Sequence, residues 1–206
     1  MKVHERLTAE QKNQLIRGVI EVEGKAMNRT ALGIVAAVFR LYPTITFKEL
    51  KELLPDHLNP SAPKNFKSLF KPYTDRPYGV VQPGSIRAEC LQQGLDLNAT
   101  HFTEPNEVFR TADGVEVLVS RSWESKDTET GENDLQNLIQ HIAPYGIRVT
   151  SFDSNKPFKR GEYHLEVINP NLLAILQKNR KQSLIRWLLF ILLLILSSAT
   201  GYFLAQ

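Results

Sequence analysis

Apolar positions recur at helical spacing through the first fifty residues. In 8–22, TAEQKNQLIRGVIEV, the residues Leu15, Ile16, Val19 and Ile20 form one stripe. Thr8 and Gln11 have the spacing of a capping box, and Gly24 is placed to end the helix. Residues 30–41, TALGIVAAVFRL, are apolar nearly all round, which predicts the buried centre of this half, stopped by Tyr42-Pro43. A second capping box, Thr46-Phe47-Lys48-Glu49, opens a third helix, FKELKELL, that ends at Pro55. After the proline-rich loop 55–63, Gly79-Val80-Val81 reads as a short strand or wing and SIRAECLQQGL, 85–95, as another helix.

From about residue 105 the period falls to two. NEVFRT, the turn Ala112-Asp113-Gly114 and VEVLVSRSW predict a β-hairpin. Val115, Val117 and Val119 share one face, and Glu116, Leu118 and Ser120 the other. Glu124–Asn133 is a polar loop, and Asp134 caps a helix, LQNLIQHIAPYG, that buries Leu135, Leu138, Ile139 and Ile142. IRVTSFD and EYHLEVIN supply two further strands. The expected fold class is α+β: a helical, winged-helix-like half over 1–100 and an antiparallel ββαββ layer over 101–170. A basic juxtamembrane helix over 171–186 and a transmembrane helix over 187–205 would follow.

That last expectation rests on WLLFILLLILSSATGYFLA, nineteen residues from Trp187 to Ala205 with no charge. About twenty apolar residues in a helix cross a hydrocarbon core of about 30 Å. Lys178, Arg180, Lys181 and Arg186 precede the run and no charge follows it, so the expected arrangement is tail-anchored and single-pass. It places the N-terminal domain in the cytoplasm at a bacterial inner membrane. The four basic residues would meet anionic lipid headgroups. Trp187, Tyr202 and Phe203 suit the interfaces, and Ser197 and Gly201, four apart, offer a small-residue face for association between spans.

Charge changes the functional picture. The net charge is +3, with 25 Lys and Arg against 22 Asp and Glu; setting aside the four basic residues at 178–186 leaves 21 against 22, or −1. The pI near 8.9 therefore describes the collar, not a basic domain. Helix, turn, helix over 30–54 has winged-helix spacing, yet the third helix offers Lys48 and Lys51 against Glu49 and Glu52. The best nucleic-acid candidate is 64–87, where Lys64, Lys67, Lys71 and Arg76 interleave with Phe66, Phe70, Tyr73 and Tyr78. A short helix burying Phe66 and Phe70 gives the same pattern.

Catalytic and metal chemistry finds little footing. The lone Cys90 allows no internal disulfide and no multi-cysteine zinc site. Asp113 with Glu124-Ser125-Lys126 imitates a metal-dependent nuclease. If 115–123 is one strand, however, its ends stand about 30 Å apart. His4, His57, His101, His141 and His164 show no ligand spacing, and His141 reads as a half-buried structural residue. No catalytic residue, metal or cofactor is expected.

TFKELKELLPDHL, GVV, ADGVEVLVSRSW and NLIQHIAPYGI occur in an order that resembles a small uncharacterised domain of bacterial restriction-type and other defence proteins. The resemblance covers roughly residues 30–150. It pairs a winged-helix-like front with a DG-hairpin, a tryptophan and a helix ending in glycine. It implies a recognition or adaptor domain and brings no catalytic residues. The chain departs from it in a longer Glu124–Asn133 loop and in an apolar tail where a nuclease or ATPase partner is usual. The expected function is thus a tail-anchored binding, sensing or adaptor module of a bacterial defence system, with a protein partner or self-association. The alternative is a membrane-tethered nucleic-acid-binding protein using 64–87.

Overall fold

The computed structural model describes residues 7–59, 70–72, 91–92, 94, 96–121, 123, 134–152 and 162–178. Helix α1, Ala9–Arg17, opens on the expected capping box: Gln11 N–H donates to the Thr8 hydroxyl at 3.2 Å and Thr8 N–H to the Gln11 side chain at 3.0 Å. It stops at Gly18, earlier than the apolar stripe predicts. Gly18 has φ +105°, and a Cβ there would stand 2.6 Å from Arg148 Cδ, so neither the conformation nor the space admits a side chain.

The stripe then changes character. Ile20–Gly24 is a strand, β1, in which Ile20, Val22 and Gly24 are buried and Glu21 and Glu23 are partly exposed. Helix α2, Met27–Leu41, is the expected buried centre, with Ala31, Leu32, Ile34, Val35, Ala37, Val38 and Leu41 all inside. It lies across a three-stranded sheet with β1 as its central strand. In it β1 pairs parallel with β5, Ile147–Phe152, and antiparallel with β6, Tyr163–Val167. The alternation of β1 fits this arrangement: one face meets α2 and the other carries the glutamates. At Gly33 a Cβ would lie 2.8 Å from Val22 Cγ1 and 3.1 Å from the Tyr163 ring, so the missing side chain sets how closely the helix sits on the sheet.

Helix α3, Phe47–Leu53, keeps its predicted capping box, with Thr46 N–H donating to the Glu49 carboxylate at 3.0 Å and Glu49 N–H to the Thr46 hydroxyl at 3.3 Å. The DG-hairpin also forms. Its strands β3, Phe109–Arg110, and β4, Glu116–Val119, pair antiparallel, and β2, Phe70–Pro72, joins the far side of β4 to give the order β2-β4-β3. The hairpin turn docks on the start of α3: Ala112 N–H donates to Ile45 O at 2.8 Å and Phe47 N–H to the Asp113 carboxylate at 3.0 Å. The short helix α4, Leu97–Thr100, leads into β-bridge pairing of His101 with Ser120. Helix α5, Asp134–Ile142, tightens into a 3-10 turn, Ala143–Tyr145, that ends at Gly146 with φ +87°. Helix α6 is described over 170–178, and Asn169 Oδ1 accepts from Leu172 N–H at 3.0 Å at its start.

Three expectations are corrected. The front of the chain is not simply helical: β1 lies inside the segment read as a first helix, because Gly18 breaks the stripe before its apolar positions can continue as one. The strands at 147–152 and 163–167 do not join the hairpin in one ββαββ layer; both pair with β1, in a mixed sheet with a parallel pair. The α+β class therefore becomes mixed α/β, with two small sheets sharing one apolar core that runs from Leu7 to Leu176.

The transmembrane helix is the third correction. Among the described residues no helix is long and apolar enough to cross a membrane. The longest, α2, has 15 residues and is about 22 Å long, short of a hydrocarbon core of about 30 Å. The tail-anchored, single-pass, inner-membrane placement is therefore not supported by any described helix. Hydropathy describes side chains, whereas a span also requires one continuous helix of sufficient length. The run 187–205 lies outside the described residues, as do Arg180, Lys181, Arg186, Ser197 and Gly201.

Candidate functional site

Arg29, in the first turn of α2, reaches the turn before β3. Glu107, only 5% exposed, meets it there: the Arg29 guanidinium donates to Glu107 Oε1. The other oxygen of Glu107 accepts from Glu104 N–H at 3.2 Å and lies 4.0 Å from the Arg121 guanidinium. Both guanidinium groups also approach the buried Phe102 ring, at 4.6 Å for Arg29 and 5.0 Å for Arg121. Backbone bonds hold these partners in place. Phe102 N–H donates to Val119 O at 2.9 Å, and Arg121 N–H donates to Thr100 O at 2.8 Å. One carboxylate thus gathers two guanidiniums around one aromatic ring, on a frame of α2, α4 and β4.

A cleft of about 270 Å³ opens beside this group, lined by Arg29, Leu32, Asn106, Glu107, Glu162 and Tyr163. Glu162 and Tyr163 come from the start of β6, and Lys25 N–H donates to Glu162 O at 3.2 Å, which fixes that end of the strand to the end of β1. Burial pushes the Tyr163 phenol above its ordinary range. The nearby Glu107 carboxylate pushes it the same way, and Arg29 opposes both. The phenol is therefore neutral at physiological pH. Glu107 is committed to Arg29 and to the backbone N–H of Glu104.

The residues singled out in the sequence fall elsewhere. Lys64, Lys67 and Arg76 lie outside the described residues, and so does most of 64–87. Lys71 sits in β2, where its backbone is opposite Leu118 of β4. Lys178 is exposed on α6. Asp113 is bound to the N-terminus of α3, and Glu124, Ser125 and Lys126 lie outside the described residues, as do Cys90 and the segments 79–81 and 85–90. His141 bonds through Nε2 to Leu53 O at 2.8 Å, the half-buried structural role its helix position implied. His101 is buried with Nδ1 2.9 Å from the Thr100 hydroxyl. Among the described residues no cluster of three or more His, Cys, Asp or Glu is arranged to hold a metal.

Sequence reasoning missed Arg29, Glu107 and Tyr163. Glu107 was placed within a strand and Arg29 just ahead of a helix, 78 positions apart, with no motif to link them. The one available signal is a charged residue beside the apolar run 30–41. Compared with known proteins, the chain matches no family model, no curated protein and no solved structure.

Proposed function

We propose that this chain is a binding module, with a sensing or adaptor role, that engages its partner at the cleft between α2, the 104–107 turn and the start of β6. The observation that carries this reading is the arrangement at Arg29. Its guanidinium is held by Glu107 and the Phe102 ring, so its geometry is set before anything binds, and ordering it costs no further side-chain entropy. The other lining groups, Asn106, Glu162 and Tyr163, vary in charge and donor character, which suits discrimination. The resemblance of 30–150 to a domain of bacterial defence proteins supports the same class, because it implies recognition rather than catalysis.

The test is a ¹H–¹⁵N titration of the whole chain with four small ions: acetate, phosphate, guanidinium and n-butylammonium. The expected result is a saturable response to at least one of them, confined to amides around 29–33, 104–107 and 162–164. Shifts scattered over the surface, or no saturable response to any ion, would overturn the reading.

A further inference from the structure

The cleft's charges are unequal. Two carboxylates, Glu107 and Glu162, line it against one guanidinium, Arg29. Glu107 already faces Arg29, so the pair is close to neutral from outside. Glu162 is exposed, and no cation pairs with it among the described residues. The wall beside it is the half-buried Tyr163 ring, packed toward Gly33, with the buried Leu32 behind. Asn106, exposed on the opposite turn, brings an amide oxygen that can accept a hydrogen bond. Deepening the binding reading above, on which it rests, we propose that the cleft takes a lysine or arginine side chain of a partner protein, its cation held by Glu162 and Asn106 and its stem lying along the Tyr163 ring.

Three arguments select this occupant. An anion entering the cleft would meet an Arg29 already paired with Glu107 and standing near the Glu162 carboxylate, and like charges in a partly desolvated site repel strongly. A basic side chain uses both surfaces on offer: its methylene stem covers apolar atoms, while its head reaches a carboxylate and an aromatic edge or face. The size agrees. At about 270 Å³ the cleft falls just below the span of roughly 300–1,000 Å³ typical of sites for whole small-molecule ligands, and suits one inserted side chain.

The experiment measures the affinity of the whole chain for four acetylated and amidated tripeptides by ¹H–¹⁵N shift titration. Their central residues are lysine, arginine, norleucine and glutamate. The expected result is saturable binding of the lysine and arginine peptides at the cleft, at least about tenfold tighter than the norleucine peptide. Glu162→Gln should weaken that binding about tenfold, and Glu162→Asp should restore part of it. The variant's spectrum away from the cleft should stay unchanged, because Glu162 is exposed and its backbone bond to Lys25 remains.

Equal or tighter binding of the glutamate peptide would overturn the inference and leave the binding module intact with an anionic ligand. Equal binding of norleucine would overturn it in favour of an apolar partner. Binding of n-butylammonium as tight as that of the lysine peptide would assign the site to a free amine instead of a protein. If no peptide binds at the cleft the inference fails, while the small-ion titration still decides the broader reading.

Discussion

Two regions of this molecule are joined to α2 and its neighbours by different physics. Beneath α2, the β5-β1-β6 sheet is held by burial: Val22, Ile34, Val38 and Leu41 have no exposed surface, and Gly33 lets helix and sheet close together. On the other side the β2-β4-β3 sheet also buries Val117 and Val119 in that core, and discrete contacts are added to this burial. These are the stacked pair Phe39–Phe109 with centroids 5.0 Å apart, the Arg29–Glu107 ion pair, and the hairpin turn bound to Ile45 and Phe47. Burial is non-directional and tolerates small shifts, whereas a few directional bonds fix position closely and fail singly. The cleft lies along the second junction. A binding site there, as proposed, gains defined geometry from the polar contacts, and Glu162 and Tyr163 tie it to the first sheet at the start of β6.

Removing apolar volume from the first region should have the largest effect. Ile34→Ala opens a cavity in a fully buried site, and a loss of about 2–5 kcal/mol in urea-induced unfolding is expected. A loss below about 1 kcal/mol would mean that the α2–sheet contact is less closely packed than its burial indicates. The next effect belongs to the junction. Glu107→Gln leaves two guanidiniums facing a neutral amide, and about 1–3 kcal/mol should be lost. That is less than for a fully buried pair, because the Arg29 side chain is 25% exposed. The double variant Arg29→Met with Glu107→Leu should recover part of the loss. Failure to recover any would show that the ion pair itself, and not the stranded charge, supplies the stability.

Asp113 should give the smallest effect. The Thr111 side chain, and more weakly Phe47 N–H, hold its carboxyl below the ordinary carboxylate value of 3.8, against a desolvation effect that stands between them in size. A carboxyl with a lowered folded pKa contributes stability that is present above the unfolded value and is lost as pH falls through the folded one. Asp113→Asn should therefore cost a few tenths of a kcal/mol at neutral pH, small because the group is exposed and screened. The gap from wild type should close below about pH 3.8 and shrink in high salt. A gap that persists at acid pH would assign the effect to the turn's shape instead of its charge.

Local chemistry made much of the fold legible. The capping boxes at Thr8 and Thr46 appear as read, because each is decided within four residues. The run at 30–41, apolar nearly all round, is buried over most of its length, and it forms most of α2. Asp113-Gly114 makes the hairpin turn because Gly114 adopts φ +83°, a local requirement of the turn. The apolar positions of 134–142 likewise lie inside, with Leu135, Leu138 and Ile142 buried.

What tertiary structure decided is everything that depends on distant partners. Ile20-Glu21-Val22-Glu23-Gly24 alternates as a strand should, but Leu15 to Ile20 also continues a helical stripe, and only pairing with Ile147–Phe152 and Tyr163–Val167 resolves the choice. The parallel partner of β1 lies more than 120 positions along the chain, and no turn or spacing announces it. The candidate site follows the same rule. Arg29, Glu107, Phe102 and Tyr163 are unremarkable where they stand in sequence and acquire meaning only when α2, α4 and β6 bring them within a few ångströms. Hydrophobic period and capping act over one or two turns of chain. Sheet order and charge pairing depend on which surfaces meet after collapse, and that is settled by the packing of the whole core.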